Sequence, residues 1–200
     1  MAKRIQSHYN GTLEVTMQRG RKVLHSKNTN YSYGNVQQVW SAGLKKLDLM
    51  HVQSILLLGL GGGSIIDILK NEYRYRGHLT AVEIDPVVVD IAKEEFGITT
   101  NEQTEIICDD AANYVSKTKD TFDLIIVDIF IDDVMPDILL SMKFWQNIAK
   151  RTMAKGTIAF NAFNSAAKLN AVKEELKCLG FEMKVYPRVN GSNTMLIATR

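Results

Sequence analysis

The chain alternates apolar and polar positions near its start and runs in solid apolar blocks later. Leu13-Glu14-Val15-Thr16-Met17 alternates, Gln18-Arg19-Gly20-Arg21 supplies a turn, and Lys22-Val23-Leu24-His25 runs extended again. That pattern reads as a β-hairpin. Val36, Val39, Trp40, Gly43, Leu44 and Leu47 then share one face at helical spacing. Residues 1–50 are expected to form a small hairpin and a connecting helix, and residues 51–200 a larger domain.

From Gln53 the pattern becomes strand, helix, strand, helix. Ser54-Ile55-Leu56-Leu57-Leu58 is a continuous apolar run, as in a strand buried on both faces of a parallel sheet. A helix is predicted from Ser64 to about Tyr73, a strand over Leu79–Ile84, and a helix opened by Pro86, whose missing N–H costs nothing there. Further strands are predicted at Glu105–Cys108, Phe122–Asp128 and Thr157–Phe163, and further helices at about Pro136–Arg151 and Ser165–Leu179. Phe181–Tyr186 and Asn193–Thr199 are joined by residues 187–192 alone. That is too short for a crossover helix, so these two strands must pair antiparallel. The predicted fold is α/β, a mostly parallel seven-stranded sheet with an antiparallel C-terminal strand. It resembles the class I methyltransferase variant of the Rossmann fold.

Composition narrows the function classes. The apolar share is 46%, and 24 basic against 22 acidic residues leave a net charge of +2. Neither disorder nor a nucleic-acid footprint fits those figures. No apolar run approaches a membrane span, and Met1–His8 lacks the apolar stretch of a secretory signal. Cys108 and Cys178 make no metal or redox spacing, and His8, His25, His51 and His78 make no ligand set. A reduced, cytoplasmic protein without a metal is expected. Lys70, Arg74, Arg76 and His78 read as wet surface.

The strongest chemical signal is Gly59-Leu60-Gly61-Gly62-Gly63-Ser64, between a buried strand and a helix. Glycines there allow close backbone approach to a ligand, and the helix start offers free N–H groups. Glu83 lies 24 residues beyond Gly59 at the end of the second strand, where a carboxylate accepts from ribose hydroxyls. Ser64, where the dinucleotide fingerprint has Gly or Ala, and the reversed last strand favour S-adenosylmethionine (SAM) over a nicotinamide cofactor. Asp109 is a candidate acceptor for an adenine amine, and Asp110 for the cap of the next helix. Asp128 ends a nearly all-apolar strand, at the edge where open α/β sheets bind ligands.

These residues, with Tyr31-Ser32-Tyr33 and Gly191-Ser192-Asn193-Thr194-Met195-Leu196, resemble the spermidine synthase family of polyamine aminopropyltransferases. The resemblance implies that Glu83 holds ribose, Asp109 the adenine, and Asp128 faces the transferring group, with Tyr33 beside the acceptor. It also points to a homodimer. The departures lie in the amine half. The family loop reads Gly-Gly-Gly-Asp-Gly-Gly, and Gly62 stands where its acid would be. Ile129-Phe130-Ile131 replaces Ser-Ser-Asp after the catalytic aspartate, and Val189 or Asn190 replaces an aromatic. Asp132, Asp133 and Asp137 are either displaced acids of the amine pocket or a solvated loop, and the solvated loop is favoured.

The expected function is transfer of a group from the sulfonium of SAM or decarboxylated SAM to a small-molecule acceptor, methyl transfer first. Aminopropyl transfer to putrescine is the alternative, and a non-catalytic nucleoside-binding protein the second. A nicotinamide oxidoreductase is the weakest reading.

Overall fold

The computed structural model describes residues 2–28, 30–132, 134–163, 166–191 and 193–200. Asp133, Ser165 and Ser192, named above, lie outside them. The expected hairpin is present as β2 of a four-stranded antiparallel sheet paired with β3. That sheet runs β1 (Lys3–Ser7), β2 (Gly11–Gln18), β3 (Arg21–His25), β4 (Asn30–Ser32) in order. Its outer strands gave no pattern to read. Ser7 is the one buried residue of β1, and β4 is three residues long.

After α1 (Gly34–Leu44), the chain builds the main sheet from β5 (Ser54–Leu58), β6 (His78–Glu83), β7 (Thr104–Cys108), β8 (Phe122–Val127), β9 (Thr152–Phe163), β10 (Glu182–Val189) and β11 (Asn193–Thr199). The intervening helices are α2 (Ser64–Asn71), α3 (Pro86–Phe96), α4 (Ala111–Lys117), α5 (Met142–Arg151) and α6 (Ala166–Cys178). The strand order is β10-β11-β9-β8-β5-β6-β7. Only β11 runs against the others, inserted between β9 and β10.

Each face of this sheet carries its own apolar layer. Leu56 and Leu58 point to the side covered by Phe144, Trp145, Val172 and Leu176. Ile55 and Leu57 point to the side covered by Trp40, Leu44, Ile66 and Leu69. The period-two alternation of a strand therefore sends a continuous apolar run to two cores.

The expected helix from Pro136 to Arg151 is broken in two. A 3-10 turn covers Asp137–Leu140, and α5 starts anew after Ser141. The Ser141 side chain accepts from Phe144 N, and Trp145 Nε1 donates to Leu139 O at 2.8 Å. A local side-chain cap thus outcompetes helix continuation. Strand β10 runs on through Pro187, which an edge strand tolerates.

The first sheet packs on α3, where Leu13, Val15 and Leu24 meet Val88 and Ile91. Asp85 joins the two parts. Fully buried, it accepts from the Ser7 hydroxyl, from Asn10 Nδ2 at 2.6 Å, and from Val87 N at 3.0 Å as the cap of α3. Among the described residues no helix is long and apolar enough to cross a membrane.

Candidate active site

A cleft of about 440 Å³ runs over the carboxyl ends of the parallel strands, the size of a small-molecule site. Across the sheet its floor is supplied by Asp109 after β7, Glu83 of β6, Gly59 after β5, Asp128 after β8, Asn161 of β9 and Asn193 of β11. Residues of β4 and α1 form the opposite wall. Among the described lining residues there is no lysine, arginine or histidine, whereas Glu83, Asp109, Asp110, Asp128 and Asp132 all contribute.

Glu83 is buried, and its carboxylate holds the glycine loop in place. Oε2 accepts from Leu60 N at 3.0 Å and Gly61 N at 3.2 Å, and Oε1 from Asp85 N at 3.1 Å. Burial pushes its pKa up, the three backbone N–H groups pull it down, and burial prevails. Asp109 accepts from Asn113 Nδ2 with both oxygens, and Asp110 caps α4 by accepting from Asn113 N.

The glycines of the loop make room for the chain itself. Gly59 has φ +96°, and a β-carbon there would overlap Asp128 O. A β-carbon on Gly62 would lie 2.9 Å from Ser32 Cβ and 3.1 Å from Phe96 Cε2. Ser32 Oγ is 2.5 Å from Ser64 Oγ, which also accepts from Tyr33 N at 2.6 Å. Strand β4 thus occupies the space into which a side chain at position 62 would project.

Asp128 sits in an environment of neutral donors. Asn193 Nδ2 donates to Asn161 Oδ1 at 2.9 Å, and Asn161 Nδ2 donates to Asp128 Oδ1 at 2.9 Å. Trp40 Nε1 is buried without a hydrogen bond of good geometry, yet it is near enough to favour the charged form of Asp128. Burial outweighs both donors and raises the Asp128 pKa to about 6.

The structure brings Gly59, Gly61, Glu83, Asp109 and Asp128 to one cleft, and leaves Gly63 and Tyr33 outside its lining. Tyr33 turns at φ +63° between β4 and α1 and stacks on Phe96, with ring centroids 4.8 Å apart. The cleft tyrosine is Tyr31, whose hydroxyl lies 2.9 Å from both Asn10 Oδ1 and Phe130 O. Burial and then the charges of Glu83, Asp85 and Asp128 raise its pKa well above the ordinary value, so it remains a donor. Sequence reasoning missed Tyr31, Asn161 and Asn193 as site residues. Asn161, a lone amide in the apolar stretch Ile158–Ala162, was the available signal.

Of the other acids beyond Asp128, Asp132 is tied to the first sheet. Its Oδ1 accepts from Ser26 Oγ at 2.5 Å and Asn28 N at 3.1 Å, and its Oδ2 from Asn28 Nδ2. Asp137 is 91% exposed and pairs with Lys168 at 3.0 Å. Among the described residues no cluster of His, Cys, Asp or Glu could hold a metal ion.

A seven-stranded sheet with one inserted antiparallel strand, and a cleft over its carboxyl edge, define a methyltransferase-type Rossmann protein. Residues 42–188 match the spermine/spermidine synthase domain, and the chain belongs to that family. It is 30% identical to the polyamine aminopropyltransferase of Vibrio vulnificus over 117 residues, 57% of this chain and 39% of that protein. The chain spans about half or less of the curated relatives it matches. A probable spermidine synthase from Corynebacterium glutamicum superposes with TM-score 0.81 at 16% identity, covering 100% of this chain and 80% of that one. Human methyltransferase-like protein 13, solved in complex with SAH, superposes with TM-score 0.70 at 21% identity, covering 82% of each chain.

Proposed function

We propose that this chain is a SAM-dependent methyltransferase acting on a small-molecule acceptor. The cleft fits a sulfonium donor: it offers carboxylates and, among its described lining residues, no cation. Glu83 keeps acceptor capacity beyond its three backbone bonds for ribose hydroxyls, and Asp109 stands at the adenine end. When bound, the donor supplies an electrophilic carbon on a good leaving group. The protein's part is then alignment and removal of a proton from the acceptor. Asp128 suits the second task. With a pKa of about 6 it is ionised at neutral pH and still able to take a proton.

One observation carries methyl over aminopropyl transfer. Asp132, a candidate partner for a second ammonium, is held toward Ser26 and Asn28 by three accepted hydrogen bonds, and Asp137 faces solvent beside Lys168. The second charge of a diamine would have to compete with those neutral donors for Asp132, which weakens its pairing.

The test is calorimetric titration with SAM and with its decarboxylated form. Tighter binding of SAM is expected. Preference for the decarboxylated donor would restore aminopropyl transfer, and heat from neither would remove the donor assignment itself.

A further inference from the structure

The two halves of the cleft differ in chemistry. Over β7, β6 and β5 lie Asp109, Asp110 and Glu83. Over β8, β9 and β11 lie Asp128, the amides of Asn161 and Asn193, and the rings of Phe130 and Phe163, 6.3 Å apart and edge to face. Ile138 lines the same half, and Val36 and Val39 face it from α1.

We infer that the acceptor is a monoamine on an apolar or aromatic stem, its nitrogen against Asp128 and its stem along Phe130, Phe163 and Ile138. The inference rests on the methyl-transfer reading above and names the substrate class of the same site. Three features carry it. Asp128 is a buried acid with neutral donors around it and no cation among the described cleft residues, and such a group gains most from a ligand that brings a positive charge. The other titratable groups facing the cleft are Tyr31, which stays protonated, and the carboxyls of Glu83, Asp109, Asp110 and Asp132. The charges facing the cleft therefore disfavour an anionic acceptor. Beyond Asp128 the wall offers Phe130, Ile138 and Phe163 to a stem, and the further acid on that side, Asp132, accepts three hydrogen bonds from Ser26 and Asn28 that a second ammonium would have to compete with.

The step balances without a further reagent. The ammonium gives one proton to Asp128, and the freed nitrogen lone pair forms the bond to the methyl carbon. The carbon–sulfur pair stays on sulfur, which leaves as a neutral thioether, and the product nitrogen carries the positive charge.

Calorimetry on the whole chain tests this in three arms, with S-adenosylhomocysteine present and absent: 2-phenylethylamine, putrescine and 3-phenylpropionate. Phenylethylamine is expected to bind about tenfold or more tighter than putrescine, and phenylpropionate not at all. Asp128→Asn should weaken phenylethylamine by about tenfold or more. Phe130→Ala should weaken phenylethylamine while leaving methylamine unchanged, which guards against a fold defect in the first variant. Putrescine binding as well as phenylethylamine, or equal binding by Asp128→Asn, overturns the inference. A titration with S-adenosylhomocysteine alone separates this result from failure of the donor assignment, which would show there as no heat.

Discussion

Gly59 and Asp128 meet back to back at the carboxyl ends of the neighbouring strands β5 and β8. Asp128 N donates to Leu58 O at 2.9 Å, and the Asp128 carbonyl takes the space a β-carbon on Gly59 would need. The start of the glycine loop and the backbone of Asp128 are thus packed directly against each other.

Gly59→Ala is expected to lose about 2 kcal/mol or more, from a left-handed φ and from the overlap together. Urea unfolding measures it. A change within error would mean the loop relaxes freely and does not position Asp128.

The raised pKa of Asp128 has a stability consequence with a definite sign. An unfolded aspartate titrates at about 3.9, and the folded group at about 6. Folding therefore favours the protonated form. Its contribution is complete below about pH 3.9 and is lost as the pH rises through about 6. Asp128→Asn, which stays neutral, should match the wild type near pH 4 and exceed it by about 3 kcal/mol at pH 8. Equal differences at both pH values would refute the shift. Transfer activity in the wild type should rise through the same interval as the base ionises.

Trp40 offers a direct spectroscopic view of that ionisation. Its indole N–H resonance should move with a midpoint near 6, while that of Trp145, held by Leu139 O, stays flat. In Trp40→Phe the Asp128 titration should shift upward, because a donor favouring the charged form is gone. A flat Trp40 resonance would show that the indole does not sense the carboxylate.

Position 62 tests why the family's acid is absent. Gly62→Asp alone should destabilise by about 1–3 kcal/mol through overpacking against Ser32 and Phe96. Combined with Ser32→Gly, which clears the nearest atom, it should recover part of that loss and move donor preference toward decarboxylated SAM. Unchanged preference in a folded double variant would detach that acid from donor choice.

Legibility in the sequence followed burial. The run at residues 54–58 and the loop after it were readable because a doubly buried strand has no polar positions and a tight turn needs glycine. Strand β1 was invisible because its side chains are mostly exposed, so nothing forces alternation. Tyr33 was readable as a motif residue, but its ring direction depends on one backbone turn between β4 and α1 that composition does not encode. Asn161 and Asn193 lie 32 residues apart and act through each other. Their role exists only once β11 is inserted beside β9, a tertiary fact beyond the reach of local pattern.

The burial of Asp85 under Ser7 and Asn10 also sets an order of assembly. Residues 3–32 emerge from the ribosome well before α3, yet their apolar face is covered by that helix, through Val88 and Ile91 with Val87 and Phe96. The early strands must therefore wait, exposed, for a segment more than fifty residues downstream, and such non-local closure slows folding. Until α3 docks, Leu13, Val15 and Leu24 stay open to chaperones and to aggregation.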